Sequence, residues 1–248
     1  MTTSRVPGKS GKGKGRSARV SGRNLTTRVK TAKGRKTSST RWLQRQLNDP
    51  YVAEASRLGF RSRAAFKILE LDNQFGFFKP GLRVVDLGAA PGGWAQVAVD
   101  RVNALGERKG PVGKIIGMDL QEMEAIPGTI LLTHDFMDND APDILKKALG
   151  GPADIVMSDM AAASTGHSAT DHMRIMGLLE VALDFARDVL SPGGVFLGKV
   201  LKGGTENQLL AEMKREYAVV KHAKPPSSRQ DSSETYVIAK GFRGNKEK

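Results

Sequence analysis

The segment Val84-Val85-Asp86-Leu87-Gly88-Ala89-Ala90-Pro91-Gly92-Gly93-Trp94 carries the strongest chemical signal in the chain. Leu82–Leu87 reads as a short buried strand, and Trp94–Val102 reads as a helix. The glycines therefore lie at a strand-to-helix junction, where open α/β sheets bind ligands beyond the carboxyl ends of their strands. Gly88, Gly92 and Gly93 let the backbone approach a ligand closely and take positive φ. The spacing is not the dinucleotide G-x-G-x-x-G, because Gly88 and Gly92 are four apart and Pro91 interrupts. Asp86 sits just before the loop. A carboxylate suits a cationic aminoacyl group better than a pyrophosphate, which favours S-adenosylmethionine over NAD as the ligand.

Two further acids support a nucleoside site. Ile115-Ile116-Gly117-Met118-Asp119 reads as a strand ending in an acid about thirty residues after the loop, where a carboxylate can hold ribose hydroxyls. Thr129–His134 reads as a third strand, followed by Asp135, which could accept a hydrogen bond from an adenine amino group. Singly, acids after strands often cap helices. Three acids after three successive strands, beside one glycine loop, make a stronger pattern.

The elements that must position these residues alternate. Within residues 53–72, Ala64, Ala65, Ile68, Leu69 and Leu71 have helical spacing, and Lys79-Pro80-Gly81 is a turn. After the three strands come a helix over Asp140–Leu149, a strand at Ala153–Ser158 and a long helix over His172–Leu190. Ser191-Pro192-Gly193-Gly194 closes that helix. Val195–Val200, Val219–Ala223 and Thr235–Ala239 read as strands, with a helix over Thr205–Tyr217. Such alternation means an α/β fold with a mostly parallel sheet covered on both faces.

The whole chain of 248 residues carries 39 Lys/Arg and 26 Asp/Glu. Met1–Arg41 holds 13 of the basic residues and no acid, so the remainder is neutral. The expected organisation is a disordered basic tail over 1–40, too poor in apolar residues to fold alone, and one domain over 41–248. The tail suits RNA phosphates through counterion release. There is no cysteine, which excludes disulfides and thiolate catalysis and fits a cytoplasmic location. His134, His167, His172 and His222 lack metal-ligand spacing, so no metal is expected. No apolar run is long enough to span a membrane.

The loop DLGAAPGGW, with RSRAAFK, VMSDMA, GKV and SSRQDSSETY, resembles the FtsJ/RlmE type of ribosomal RNA large-subunit ribose 2′-O-methyltransferase over about Arg41 to Gly241. The resemblance implies a class I S-adenosylmethionine-dependent methyltransferase (Rossmann-like) fold of seven strands, the last inserted antiparallel. It implies a catalytic tetrad of Lys67, Asp159, Lys199 and Glu234. Its cofactor positions match Gly92, Trp94, Asp119, Asp135 and Asp159, which join Asp86 and Gly88 from the loop. Trp94 could contact the cofactor through its backbone or simply pack the helix. The implied substrate is a uridine of the 23S rRNA A-loop in the large ribosomal subunit, modified in rRNA processing during ribosome biogenesis. The chain departs from the family at Ala162-Ala163, where Pro-Asn is common, on the substrate side.

Methyl transfer to a hydroxyl is an in-line displacement in which the protein positions the reactants and manages one proton. Lysine ordinarily titrates at about 10.4, and a second ammonium nearby disfavours its charged form. Lys67 beside Lys199 would do this, with Asp159 and Glu234 opposing. Lys199 is then either the proton acceptor or a charged group that orients the hydroxyl. Arg41, Arg57, Arg61 and Arg63 are expected to grip RNA, and the enzyme is expected to act as a monomer. Three rival readings remain: a 2′-O-methyltransferase of tRNA or another RNA, an NAD(P) oxidoreductase, and a non-catalytic RNA-binding assembly protein.

Overall fold

The computed structural model describes residues 27–29, 34, 36–162, 165–201 and 207–244. Most of the expected 1–40 tail therefore lies outside the described residues, as do Ala163 and the start of the expected helix at Thr205. The chain divides into two compact units, Met1–Asn48 and Asp49–Lys248. In the first, helix α1 spans Thr37–Leu47. Two carboxamides near its end hold the preceding chain. Asn48 accepts from the Thr27 N–H at 2.7 Å and donates to the Thr27 carbonyl at 2.9 Å, and Gln44 accepts from the Val29 N–H at 3.0 Å.

The second unit begins with α2 (Pro50–Arg57), whose start is capped by Asp49 with Pro50 in the first turn. Helix α3 (Ala64–Phe75) follows. The residues that carry the helical spacing within 53–72, Ala64 to Leu71, all lie in α3, while the start of that stretch belongs to α2. Gly59, at φ 75°, leaves α2 in the left-handed region, and Arg61-Ser62-Arg63 turns the chain into α3. Then come β1 (Arg83–Leu87), α4 (Gly93–Arg101), β2 (Lys114–Asp119), β3 (Thr129–Thr133), α5 (Ala141–Leu149) and β4 (Ala153–Ser158). The unit closes with α6 (Ser168–Val189), β5 (Leu190–Leu201), α7 (Asn207–Glu216), β6 (Tyr217–Ala223) and β7 (Glu234–Phe242). Strand β5 begins earlier than the apolar run suggests, because Ser191 Oγ bonds the Ala153 carbonyl and draws Leu190 alongside β4.

The strands form one seven-stranded sheet in the order β3-β2-β1-β4-β5-β7-β6. The first five are parallel, and β7 runs antiparallel to both β5 and β6. Side chains alternate across a strand, so each strand feeds two cores. Val85, Leu87, Ile116 and Phe196 pack on the face covered by α5, α6 and α7. Val84, Ile115, Leu197, Tyr236 and Ile238 pack on the face covered by α3 and α4. The strand order reverses between β1 and β4. The loops that leave their carboxyl ends flank a crevice, the usual ligand position in such sheets.

Candidate active site

The strand period decides which side chains meet. Asp86 lies two residues after Val84, and Lys199 two after Leu197. Glu234 and Tyr236 precede Ile238 at the same period. All four therefore face α3, which carries Lys67. The antiparallel β5–β7 register sets Lys199 opposite Tyr236 and Leu201 opposite Glu234. A tetrad dispersed from Lys67 to Glu234 along the chain becomes one cluster.

Within it, Lys199 Nζ lies 2.9 Å from Asp159 Oδ1 and donates to the Asp159 carbonyl at 2.8 Å. Lys67 Nζ lies 3.3 Å from Glu234 Oε2, and Lys199 Nζ lies 4.0 Å from Glu234 Oε1. Each oxygen of Glu234 thus faces a different lysine. Lys67 does not bond Asp159 directly. It donates to the Tyr236 hydroxyl at 2.9 Å, and that hydroxyl donates to Asp159 Oδ1 at 2.8 Å. Tyr236 is a fifth member that sequence reasoning missed. Its alternation with Val237 and Ile238 makes it look like an ordinary core aromatic.

Both lysines are buried, so their charges require these partners. Burial by itself would raise the Asp159 carboxyl. The Lys199 and Lys67 ammoniums and the hydrogen bonds from Lys199 and Tyr236 outweigh it, and Asp159 titrates below the ordinary carboxylate value. Burial, followed by the Asp159 and Glu234 charges, pushes the Tyr236 phenol well above its usual range.

Next to the cluster lies the glycine loop. Gly88 has φ 76°, and a Cβ there would come within 2.9 Å of Met160 backbone atoms. Gly92 has φ 106°, and a Cβ there would lie 2.5 Å from Ile126 Cδ1. Asp119 holds the loop by accepting from the Ala90 N–H at 2.9 Å. A cavity of about 490 Å³ opens here, lined by Gly88, Asp119, Asp135, Met160 and Ala162 among others. The loop glycine, the two strand-end acids and the segment that departs from the family share this space. Asp86, Gly92 and Trp94 do not line it. Trp94 is buried, donates its indole N–H to the Ala64 carbonyl at 3.0 Å and packs on Tyr236. Its side chain therefore braces α3 and the tetrad.

Asp86 is the anomaly. It is fully buried, and neither carboxylate oxygen has a hydrogen-bond partner among the described residues. Burial, reinforced by Asp159 and Asp119, pushes its pKa well above the ordinary value. A native protein rarely leaves such a group unsatisfied unless a ligand completes it. A cationic amino group would do so, and the residues present fit an aminoacyl nucleoside bearing positive charge. Among the described residues, His134, Asp138 and Asp140 are also close enough together to share an ion, with His134 Nε2 2.9 Å from Asp140.

Three of the four arginines expected to grip RNA already make contacts within the fold. Arg57 pairs with Glu54 at 2.6 Å. Arg61 donates to the carbonyls of Glu124 at 2.8 Å and Ala125 at 2.9 Å, and more weakly to that of Pro91 at 3.4 Å. It ties the glycine loop to the segment after β2. Arg63 is held by Asp49 at 3.0 Å and donates to the Ser227 carbonyl. Backbone carbonyls and carboxylates in the same fold compete for these guanidiniums, which composition cannot reveal.

The sequence matches the FtsJ-like methyltransferase family over residues 60–242. It is 65% identical over 225 residues to a ribosomal RNA large subunit methyltransferase E of Paramagnetospirillum magneticum, covering 91% of each chain. It is 57% identical to the protein of the same name from Parvibaculum lavamentivorans, covering 100% of this chain and 97% of the relative. Among solved structures, one described as a ribosomal RNA methyltransferase from Plasmodium falciparum is similar at a TM-score of 0.65 and 30% identity. That alignment covers 75% of this chain and all of the other.

Proposed function

The chain belongs to the FtsJ-like methyltransferase family, and from that premise we propose that it transfers a methyl group from S-adenosylmethionine to a ribose 2′-hydroxyl of RNA. The proposed substrate is large-subunit ribosomal RNA, at a uridine of the 23S A-loop, modified in the cytoplasm by a monomer. The relatives' names support the ribosomal part. The observation that carries the reaction type is the convergence of Lys67, Asp159, Lys199 and Glu234 into one bonded cluster. Residues 41–248 would hold the activity and the basic 1–40 segment would add RNA affinity.

When bound, S-adenosylmethionine supplies a methyl group on a sulfonium, already activated for displacement. Asp119 would hold ribose hydroxyls and Asp135 would accept from the adenine amino group, and the buried Asp86 carboxylate would attract the cationic amino group without lining the cavity itself. Gly88 and Gly92 would give the backbone room, and the Trp94 ring would brace α3 and Tyr236. What remains is one proton on the attacking hydroxyl.

The proposed acceptor of that proton is Lys199, in its neutral form. A neutral amine has two hydrogens and one lone pair. In that form Asp159 Oδ1 and the Asp159 carbonyl would take the two hydrogens, and the lone pair would be left for the hydroxyl proton. Lys67 and Glu234 then hold the charges around it, and Tyr236 fixes the distance between Lys67 and Asp159.

The test is methyl transfer from labelled S-adenosylmethionine to large ribosomal subunits, naked rRNA, tRNA and capped RNA, with mapping of the modified ribose. Label on one large-subunit ribose is expected. Label confined to tRNA or cap would move the substrate, and no transfer to any RNA would overturn the proposal.

A further inference from the structure

Three of the arginines in the body, Arg57, Arg61 and Arg63, already have partners within the fold. The Met1–Asn48 unit carries 14 Lys and Arg and no Asp or Glu. Its helix α1 presents Arg41, Trp42 and Arg45. At 100° per residue these three share an arc of about 100°, with Arg45 between the other two. Leu43 and Leu47, the apolar pair, lie on the opposite side. Trp42 therefore sits on the cationic side of α1 and not with its apolar residues. It is 54% exposed, an unusual setting for the largest apolar side chain. Among the described residues, Arg28, Arg41 and Arg45 form no ion pair. Gln44 and Asn48 border this arc and clasp Thr27 and Val29, which brings Arg28 alongside α1.

An exposed indole among arginines, on an element with no acid, matches a polyanion that also offers flat faces. Single-stranded RNA has both, because unpaired bases stack on aromatic rings while phosphates take the guanidiniums. A lipid surface offers the charge without the stacking faces. We propose that α1, with the clasped 27–29 segment, is an RNA-docking arm in which Trp42 stacks on an unpaired base and Arg28, Arg41 and Arg45 contact flanking phosphates. This rests on the reading that RNA is the substrate, and it names the residues that hold it outside the reacting cluster.

The chain has two tryptophans, and Trp94 is buried. Intrinsic fluorescence therefore reports Trp42 at its exposed, red-emitting edge. The full-length protein is titrated with a short mixed-sequence single-stranded RNA, with the same sequence as a duplex, and with anionic phospholipid vesicles. Single-stranded RNA is expected to quench the red edge. Trp42→Leu is expected to abolish that quench and weaken binding by roughly tenfold, while Trp42→Phe retains most of the affinity. Arg41→Gln with Arg45→Gln is expected to flatten the dependence of binding on salt. Retention of cofactor binding by each variant shows that the body is folded.

Equal RNA affinity of the wild type and Trp42→Leu overturns the inference, as does a response to vesicles without one to single-stranded RNA. The methyl-transfer assay on the same preparations separates the two readings. An active wild type with unaltered Trp42→Leu binding removes the arm alone. An inactive wild type removes the substrate reading on which the arm rests.

Discussion

Tyr236 donates its phenolic hydrogen to Asp159 Oδ1 at 2.8 Å, across 77 residues of sequence. The same oxygen atom of Tyr236 accepts from Lys67, so one phenol connects α3, β7 and the loop after β4. Two of the charged residues are thereby spaced by a neutral one. Burial and the adjacent acids hold the phenol protonated, so it keeps its hydrogen for Asp159.

Tyr236→Phe keeps the ring and its packing on Trp94 but removes both hydrogen bonds. The fold is expected to lose about 1–2 kcal/mol. The turnover number should fall by roughly tenfold, with little change in the KM for S-adenosylmethionine, because Asp86, Asp119 and Asp135 are untouched. Steady-state kinetics and thermal melts check both halves. An unchanged turnover number would show that the bridge does not position Lys67.

Asp86→Asn separates stability from binding. The folded pKa of Asp86 is raised, so the fold holds its proton more tightly than the unfolded chain does. That contribution is fully present below the ordinary carboxylate value of 3.8 and is lost as pH rises through the raised folded value. The amide carries no charge at any pH. At neutral pH the melting temperature of the variant is expected to rise, by about 2–4 °C for each kcal/mol recovered. Its affinity for S-adenosylmethionine should fall. Melts against pH, with and without the cofactor, test the sign. A less stable variant at neutral pH would contradict the unsatisfied carboxylate.

Asp159 has the opposite sign. Its folded pKa is depressed, so its contribution is present above the ordinary carboxylate value and is lost as pH falls through the folded value. With Asp159→Asn, acid unfolding should lose that component, as a shallower stability slope on the acid side.

If Lys199 accepts the proton, the chemical step requires its neutral form, and the rate of single turnovers rises with pH. Lys199→Ala should lower that rate by roughly 10²–10⁴-fold and remove the rise. A pH-independent wild-type rate would instead leave Lys199 as an orienting charge.

Arg61 tests the loop. Its guanidinium reaches three backbone carbonyls at once, which a lysine point charge cannot reproduce. Both Arg61→Ala and Arg61→Lys are expected to raise the KM for S-adenosylmethionine severalfold. If Arg61 served mainly as an RNA contact, Lys would restore the wild-type value and only the KM for RNA would move.

Many of the elements are legible in the order of residues alone. Strands Lys114–Asp119 and Ala153–Ser158 run between the residues their apolar runs suggest, because each run is bounded by Gly, Pro or a charge that ends burial. The Pro-broken glycine loop and the acids at the ends of β2 and β3 are legible for the same local reason. The division of residues 53–72 is less so. Periodicity records which residues are apolar, and it passes over a single left-handed glycine such as Gly59.

By itself, then, the sequence determined a doubly covered, mostly parallel sheet, a nucleoside-type loop and, through resemblance, four candidate catalytic residues. Those properties depend on neighbours a few positions apart, on period and on turn chemistry. The tertiary structure alone decided that Tyr236 joins Lys67 to Asp159 and that Asp86 is left without a partner among the described residues. It also decided that Arg61 and Arg63 have partners within the fold while Arg41 and Arg45 form no ion pair among the described residues. Each of those outcomes depends on which polar atoms meet across long stretches of chain. Burial makes every such meeting costly to leave unsatisfied, and only the packed fold specifies the partners.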